Sequence, residues 1–442
     1  MKLPEKAPNW RSFWDKNPDG LIELSGLIAP MIAKGNKEYL YWDRFKYHPL
    51  PEKIKPEAAW ASLKLSRWMR EVKSIPLQDP SGKYFTYWLP DHAHNSLHFI
   101  DQNSSGQILV DERVDHAEER QRYILRSIME EAITSSQLEG AATTRVVAKE
   151  MLRSGRQPQD HAERMIFNNY VTISRIRNHL GERLTPELLC EFHRLISKDT
   201  LGNALQEGRF RTEKDEDIRV YDELDQVLHT PPAPHLIEGS VEKLCDFANA
   251  VDGEEFVHPA IRGILLHFWL AYLHPFVDGN GRTARALFYW YMLKKKYWLF
   301  EYLSISRIIR KASAQYYRSF LYSEIDDRDM TYFIMFHLRA IGLAIEELRV
   351  YLARKQEESR KAIQFLKKQP HLNHRQRSLL MNAINRPTNV YTFNTHMKTH
   401  GVVYQTARAD LLGLQAQGLL QMHKVGRKFR FTPVPNLKDI LA

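Results

Sequence analysis

Apolar residues recur at intervals of three and four along much of the chain, and this spacing predicts a mainly helical protein. The pattern is clearest in TPELLCEFHRLIS, HPAIRGILLHFWLAYL and TARALFYWYMLKK. One stretch interrupts it, because residues 208–234 are polar and rich in turn-forming residues. Within that stretch IRVYD and QVLHT read as two short strands. We therefore predict a mainly α fold from which one β-hairpin projects.

The pattern also divides the chain into four parts. Residues 1–111 are rich in Trp and Pro, and YFTYWLP and LHFIDQ within them read as short strands of a hairpin. Helical spacing runs through residues 112–343, and charged helix-forming residues extend it over 344–370 as a connecting helix. Residues 371–442 read as three helices followed by a basic β-hairpin. That order is typical of a winged helix-turn-helix.

The charge of the chain lies mostly in this last part. The whole chain carries a net charge of +10, and residues 371–442 hold ten Lys or Arg against two Asp, which leaves +2 for everything before them. Such a basic module suggests contact with a phosphate backbone, through Arg408 on its third helix and Arg427, Lys428 and Arg430 on the wing. Against this, Asp410 follows Arg408 on the face expected to read DNA. Since winged helices also bind proteins or form dimers, DNA, a protein and a second copy of the chain all remain candidate partners.

The composition is that of a globular protein, with 43% hydrophobic and 26% charged residues. Only two cysteines occur, so no disulfide framework is implied. The first residues lack the apolar core of a signal peptide, and the longest apolar run, around ILLHFWLAYL, is too short to span a bilayer. The expectation is a cytoplasmic protein without membrane contact.

The segment LHPFVDGNGRTARA, residues 273–286, concentrates the residue types needed to handle a polyphosphate. A helix that begins near Asn280 would point unpaired N–H groups at an anion, and its dipole would reinforce the site. Arg282 and Arg285 stand three apart and can clamp phosphate oxygens from one helix face. Asp278 offers the kind of oxygen ligand that Mg²⁺ prefers, and His274 can accept a proton from a hydroxyl group.

This segment resembles the signature of the Fic family, HPFx(D/E)GNGRxxR, and fills every position of that pattern between His274 and Arg285. The likeness extends over roughly residues 112–338. It implies the Fic helical core and transfer of AMP from ATP to a Tyr, Ser or Thr hydroxyl of a protein, with release of pyrophosphate. His274 would be the general base and Asp278 would hold Mg²⁺. The loop residues expected to bind ATP are Gly279, Asn280, Gly281, Arg282, Thr283, Ala284 and Arg285.

The resemblance also leaves other chemistry to consider. Doc-like kinases of the family have a lysine at the position of Gly281, so this loop favours AMP transfer. It does not decide against transfer of phosphocholine. Removal of AMP from a target, or a nucleotide sensor that regulates DNA, are the alternatives to the transferase.

An inhibitory motif of the family, (S/T)xxxE(G/N), is matched upstream by Ser135, Glu139 and Gly140. The resemblance implies that Glu139 pairs with Arg285 and holds ATP in an unproductive pose, so that the chain inhibits itself. In some relatives the same glutamate positions water for removal of AMP. Glu139 is therefore expected to serve in either direction.

Two further expectations come from the resemblance. Fic proteins dock the target segment against a β-hairpin flap by strand addition, and the matching edge here is Ile218, Arg219, Val220 and Tyr221. The target is an unidentified protein, which includes the chain itself. Tyr316 and Tyr317 occupy a family position near the adenine base.

Overall fold

The computed structural model describes residues 3–104, 117–215, 218–221, 224–250, 256–368, 371–385, 387, 389–425 and 428–441. Contacts within the chain divide it into two compact units, Met1–Ile345 and Glu346–Ala442. The described residues are mainly helical, with three small antiparallel hairpins, so the predicted fold class is confirmed. In the described part of the chain no helix is both long enough and apolar enough to cross a membrane.

The first unit begins with a set of short helices around one hairpin. They are α1 (Arg11–Lys16), α2 (Pro18–Leu27), α3 (Ala29–Glu38), α4 (Trp42–Phe45), α5 (Pro56–Trp68), β1 (Lys73–Gln78), β2 (Tyr84–Tyr87) and α6 (Asp91–Ser104). Strands β1 and β2 pair antiparallel, with Lys73 opposite Tyr87 and Gln78 opposite Tyr84.

The expectation of a strand at LHFIDQ is wrong, because this segment lies in α6. The partner of YFTY is instead the upstream strand β1. Within α6 the residues Ala93, Leu97 and Ile100 are buried at helical spacing, and Asp91 stands in the first turn, where a carboxylate favours the helix dipole. The apolar spacing of this short segment fits a helix as well as a strand, and the packing decides in favour of the helix.

The helical body follows. Its elements are α7 (Ala117–Leu138), α8 (Arg145–Ser154), α9 (His161–Arg175), α10 (Pro186–Ser197), β3 (Val220–Tyr221), β4 (Val227–His229), α11 (Ile237–Asn249), α12 (Pro259–Leu273), α13 (Asn280–Lys294), α14 (Ile305–Lys311) and α15 (Ser313–Ile325). Short 3₁₀ turns lie at Ile176–His179, Ala204–Gln206, Pro234–Leu236 and Trp298–Glu301. The hairpin of β3 and β4 falls inside residues 208–234, as the sequence predicted.

Helices α12 and α13 form the centre of this body. Their side chains are buried on nearly every face, including Trp269, Phe268 and Trp290 at 0% exposure. A helix that is apolar all round belongs in the core of a large protein. The loop between these two helices, which carries the candidate chemistry, is therefore held by rigid elements on both sides.

Helix α16 (Thr331–Lys368) runs from the first unit into the second, so the predicted connecting helix is the continuation of a helix that starts in the core. The second unit then has α17 (His374–Asn385), α18 (Phe393–His400), α19 (Tyr404–Ala416), β5 (Leu420–Val425), β6 (Lys428–Pro433) and α20 (Leu437–Ile440). Its core includes Leu380, Leu411 and Phe431, each at 0% exposure. Three helices and a hairpin thus follow in the order expected from the sequence.

The residues predicted to touch DNA are only partly described. Arg408 and Arg430 are exposed, Arg427 lies outside the described residues, and Lys428 is described only by its place in β6. The expectation that Asp410 faces outward is wrong, since its residue is 3% exposed. Its carboxylate accepts hydrogen bonds from Arg375, Asn373 and His396, because it lies on the same side of α19 as Ala407, Leu411 and Leu414.

Candidate active site

The loop between α12 and α13 turns at two residues with left-handed backbone. His274 ends α12 with φ 47°, and Gly279 precedes α13 with φ 79°. A left-handed histidine is uncommon and costs free energy, so other contacts must hold it there. The main one is Arg211, whose Nε donates to the His274 carbonyl at 2.8 Å and whose backbone N–H donates to the Pro275 carbonyl at 2.9 Å.

The side chain of Asn280 holds the loop together. Its Oδ1 accepts from the Phe276 N–H and its Nδ2 donates to the Phe276 carbonyl, each at 2.9 Å. Phe276 itself is fully buried and stacks on His193, with ring centroids 3.8 Å apart and planes 1° apart. The amide of Asn280 is thus used within the loop, and only the backbone N–H of this residue is left for a phosphate.

Two other residues expected to bind ATP also point away from a ligand. The N–H and hydroxyl of Thr283 both donate to the Gly279 carbonyl, and the side chain of Ala284 is fully buried. Helical turns place these two residues on the inner face of α13. Both side chains therefore face the protein interior, and contact of Thr283 and Ala284 with ATP stays a prediction.

His193 was not among the predicted site residues, yet it joins the loop to the hairpin segment. Its Nδ1 accepts from the Gly208 N–H at 3.0 Å, so Nε2 carries the proton and donates to the Asp278 carbonyl at 2.8 Å. Burial lowers the pKa of His193 to about 4, which keeps the ring neutral and this tautomer fixed at neutral pH. The sequence shows only a histidine in an apolar helix, and its long-range partners give no local signal.

His274 has the properties of a base. Its Nδ1 lies 3.1 Å from the Ala271 carbonyl, and since a carbonyl can only accept, Nδ1 carries the proton and Nε2 has the free lone pair. Burial lowers the pKa of His274 to about 4. At neutral pH the ring is therefore unprotonated at Nε2.

Arg282, in the first turn of α13, provides unused hydrogen-bond donors. The residue is 1% exposed, and only its Nη1 has a hydrogen bond, to the Ile196 carbonyl at 3.3 Å. Its Nε and Nη2 are buried without a hydrogen-bond partner among the described residues, and the nearest carboxylate oxygen, on Asp278, lies 3.7 Å from Nη2. Burial lowers the pKa of Arg282. Buried charged donors without partners are costly, so an anionic ligand would stabilise this arginine.

Arg285 is occupied by the segment predicted to be inhibitory. Its Nη2 lies 2.8 Å from Glu139 Oε1, and its guanidinium also donates to the hydroxyl and the carbonyl of Ser135 at 2.8 and 2.9 Å. Burial opposes the charge of Arg285, but Glu139 outweighs this and raises the pKa of the guanidinium.

Glu139 also covers the start of α13. A Cβ built on Gly281 would lie 2.2 Å from Glu139 Oε1, so no residue other than glycine fits under this carboxylate without movement. Gly140, with φ 90°, ends the turn that follows α7. Glu139 thus lies at the helix N-terminus where the sequence predicts phosphate.

The hairpin is anchored next to the loop. His229 on β4 places Nδ1 2.8 Å from Glu324 and Nε2 2.7 Å from the Tyr272 carbonyl. Burial opposes protonation, but the bond and charge of Glu324 outweigh it and raise the pKa of His229. The predicted docking edge lies on the same hairpin. Its residues Arg219 and Tyr221 are exposed, and Ile218 and Val220 are half-buried.

The two tyrosines of α15 have different surroundings. Tyr316 is 4% exposed, and its hydroxyl meets His267 Nε2 at 3.1 Å inside the aromatic core. Tyr317 is half-buried, and its hydroxyl lies 3.4 Å from the Leu138 carbonyl, next to Glu139. Tyr316 is thus packed in the core and Tyr317 is partly accessible, and a place beside adenine stays a prediction.

Asp278 is the residue that could hold a metal ion. Its side chain is 58% exposed, and Oδ1 accepts from the Gly279 N–H at 2.6 Å. Among the described residues no group of three or more His, Cys, Asp or Glu could form a metal cage. A single exposed carboxylate next to a phosphate site fits Mg²⁺, which takes one or two carboxylates together with substrate phosphates.

Comparison with known proteins agrees with this geometry. Residues 183–292 match the profile of the Fic/DOC family. The chain is 32% identical over 161 residues to protein adenylyltransferase Fic of Nematostella vectensis, covering 35% of this chain and 34% of that protein. It is 28% identical over 173 residues to protein adenylyltransferase fic-1 of Caenorhabditis elegans, covering 38% and 31%. The chain thus spans about a third of the length of these curated relatives.

The fold has solved relatives as well. A Fic family protein from Desulfovibrio desulfuricans aligns with a TM-score of 0.53 and 18% identity, over 79% of this chain and 98% of that one. Fic-1 of C. elegans aligns with a TM-score of 0.52 and 17% identity, over 76% and 89%. At these identities the alignments establish a shared fold.

Proposed function

We propose that the chain is a protein adenylyltransferase, which moves AMP from ATP to a hydroxyl group of a protein, because residues 183–292 match the Fic/DOC family. The observation that carries this proposal is that one loop and the first turn of the helix after it hold both an unprotonated His274 and the unused donors of Arg282. A base and an anion site on one short segment are what transfer of a nucleotide to a hydroxyl requires.

His274 acts on the attacking hydroxyl. Its Nε2 removes the proton as the hydroxyl oxygen forms a bond to the α-phosphorus, and the bond from that phosphorus to the bridging oxygen breaks. Pyrophosphate leaves with the bond electrons. Arg211 and the Ala271 carbonyl fix the backbone and the tautomer of the base, so that its lone pair is already oriented before the substrate arrives.

The phosphates bind at the start of α13. Arg282 supplies its two unused N–H donors, and the first N–H groups of the helix add the charge of the dipole. Asp278 would hold Mg²⁺ at the same place, and a bound Mg²⁺ neutralises phosphate charge and polarises the phosphorus centre. The buried setting strengthens each of these interactions relative to water.

Glu139 acts as a brake on this reaction. Its carboxylate engages Arg285 and lies over Gly281, so the arginine is withdrawn from the terminal phosphate and a negative charge stands at the anion site. ATP bound in the presence of Glu139 is then held in an unproductive pose. A signal that moves α7 would release the enzyme.

The target docks on the hairpin in this proposal. A strand of the target pairs with the edge Ile218–Tyr221, and this brings the target's hydroxyl towards His274. Arg211 and His229 connect this part of the chain to the end of α12 and to His274. Substitution of Tyr221 by Ala should raise the KM for a protein acceptor and leave the affinity for ATP unchanged. An equal loss of affinity for the protein acceptor and for ATP would show that the hairpin does not dock the target.

Removal of AMP is the second candidate activity. It is favoured by the half-exposed carboxylate of Glu139, which has a side-chain exposure of 31% and can orient water as well as hold Arg285. A third candidate is nucleotide-dependent binding of DNA by the second unit, which the exposed Arg408 of α19 and Arg430 of β6 favour. A DNA-binding regulator of this kind would not need the base His274, so the loop favours it less than the transferase.

One experiment separates these functions. The full chain with Glu139→Gly is incubated with ATP labelled at either the α- or the γ-phosphate, with proteins of a cell extract as acceptors. Transfer of AMP predicts that only the α-label becomes bound to protein, and protein-bound γ-label would indicate a kinase. Removal of AMP is tested with the native chain, which keeps Glu139, and loss of label from acceptors already carrying labelled AMP would indicate it. A DNA-shift assay with and without ATP tests the regulator.

A further inference from the structure

A cavity lies in the first unit, and none of the residues that line it belongs to the loop between α12 and α13, the β3–β4 hairpin or the inhibitory segment. Its volume is about 380 Å³. It forms where the start of α1, the end of α5, the β1–β2 hairpin and residues 327–329 meet. Its lining includes Arg11, Trp68, Arg70, Lys83, Tyr84 and Arg328. Small-molecule sites occupy about 300 to 1,000 Å³ and favour such junctions between elements.

Aromatic side chains face this cavity from two sides. Trp68, from the end of α5, is 58% exposed, and Tyr84, from β2, is 52% exposed. Trp68 also packs against the buried Trp10, with ring centroids 6.1 Å apart. Large aromatic side chains left in water around one concave surface mark a binding site, because their burial by a ligand releases free energy.

Positive charge is available in the same cavity. Arg70 lies 5.6 Å from the centroid of the Trp88 ring, and Lys83 is exposed on the hairpin. Within the described part of the chain, neither side chain has an ion pair with a carboxylate. The acidic groups of the cavity are already engaged, since Asp327 accepts from Trp10 and Arg11, and Asp329 accepts from Tyr39. The free charge that a ligand would meet is therefore positive.

The wall formed by residues 327–329 is strained. Asp327 and Arg328 are consecutive left-handed residues with φ 58° and 62°, and neither is glycine. Thr86 holds the segment in place, because its N–H donates to the Arg328 carbonyl at 3.0 Å and its carbonyl accepts from Met330 at 2.8 Å. Backbone strain that the surroundings maintain is concentrated at functional sites.

We propose that this cavity binds a small anion that carries a flat aromatic ring. Trp68 and Tyr84 contact the ring, and Arg70 and Lys83 meet the phosphate or carboxylate. A mononucleotide and an aromatic carboxylate share this chemistry. The proposal does not depend on adenylyl transfer, because no residue of the cavity belongs to the candidate active site.

The test is titration calorimetry on the full chain with four probes. AMP and indole-3-acetate combine a ring with an anion, while inorganic phosphate lacks the ring and indole-3-ethanol lacks the charge. The chain carries Arg282→Met throughout, so that AMP bound at the active site does not contribute. The cavity variants are Arg70→Gln/Lys83→Gln and Trp68→Ala, and their melting temperatures show whether each is folded.

We expect at least one of AMP and indole-3-acetate to bind, and the one that binds identifies the source of the ligand. Its affinity should be at least tenfold above that of phosphate and indole-3-ethanol, and should fall at least tenfold in both cavity variants. Tyr84→Ala gives an independent change on the opposite wall, with the same expected loss. The proposal is overturned if neither ring anion binds, or if binding survives in the folded cavity variants.

Discussion

The carboxylate of Glu139 and the guanidinium of Arg285 lie 2.8 Å apart although 146 residues separate them in the chain. The pair connects the end of α7 to the first turns of α13, where ATP is proposed to bind. Ser135, one helical turn before the glutamate, accepts hydrogen bonds from the same guanidinium through its hydroxyl and its carbonyl oxygen. The contact therefore couples the position of α7 to the charge available for phosphate.

Neutralising Glu139 should strengthen ATP binding. Glu139→Gln keeps the size of the side chain but removes the negative charge from the start of α13, and a charged hydrogen bond contributes about 1.5–3 kcal/mol. We expect the affinity for ATP to rise by about tenfold or more, as measured by calorimetry. Glu150→Gln, an exposed carboxylate on α8, is the matched control and should leave the affinity unchanged.

Replacing Arg282 should separate binding from stability. Arg282→Met removes two buried donors that lack partners, so the free energy of unfolding should stay the same or rise. The same change should weaken ATP binding by about 10- to 100-fold, because charged hydrogen bonds to phosphate are lost. Arg183→Met, at an exposed position, serves as control. A variant that loses stability while still binding ATP would show that Arg282 is a structural residue.

His193 should make the protein sensitive to acid. Its pKa is about 4 in the folded chain and about 6.5 in an unfolded one, so the unfolded chain binds more protons between these values. The neutral His193 therefore contributes to the free energy of unfolding in full above about pH 6.5. This contribution, about 3 kcal/mol, is lost as the pH falls towards 4. Urea unfolding of the native chain and of His193→Gln at pH 7, 5.5 and 4.5 measures this. The difference in the free energy of unfolding between the native chain and His193→Gln should shrink as the pH falls. A difference that stays constant would exclude His193 as the titrating group.

Arg211 should control both the hairpin and the base. Arg211→Gln removes the donor to the His274 carbonyl, so the left-handed turn at His274 loses its main support. We expect faster hydrogen exchange at Val227–His229 and a lower kcat for AMP transfer. Arg183→Gln is the control. Unchanged exchange at the hairpin would contradict the proposed coupling.

Asp410 should stabilise the second unit. Its buried carboxylate accepts from Arg375, Asn373 and His396, and removing one partner of a buried charge pair costs about 3–5 kcal/mol. Asp410→Ala should therefore lower the melting temperature of the second unit while ATP binding persists. Asp439→Ala, at an exposed position, should change neither. An unaltered melt in Asp410→Ala would show that the network does not hold this unit together.

The sequence predicted those features that local patterns encode. Spacing of apolar residues located α12 and α13, and the unbroken motif from His274 to Arg285 marked the candidate base and both arginines. The pairing of Glu139 with Arg285 was predicted because a second motif matched, and the structure shows that contact. Whether it inhibits the enzyme stays a prediction.

Features that depend on distant contacts were not predicted. His193 and Arg211 act through backbone groups of Asp278 and His274, which lie far along the chain and leave no local pattern. Tyr316 was expected near adenine and Asp410 on the outer face of α19, but packing turned both inward. In a helix a shift of one residue changes the face by about 100°, so propensity alone does not decide which side is buried.

The most direct test of His274 as the base and of Glu139 as the brake compares the incorporation of α-labelled AMP by three forms of the full chain. They are the native protein, Glu139→Gly and Glu139→Gly/His274→Ala, with Glu150→Gly as control for the first change. If Glu139 restrains a transferase whose base is His274, little label is expected in the native protein and the control, a large rise in Glu139→Gly, and no label in the double variant. Equal labelling of the native protein and Glu139→Gly would contradict the brake, and label that persists without His274 would contradict the base.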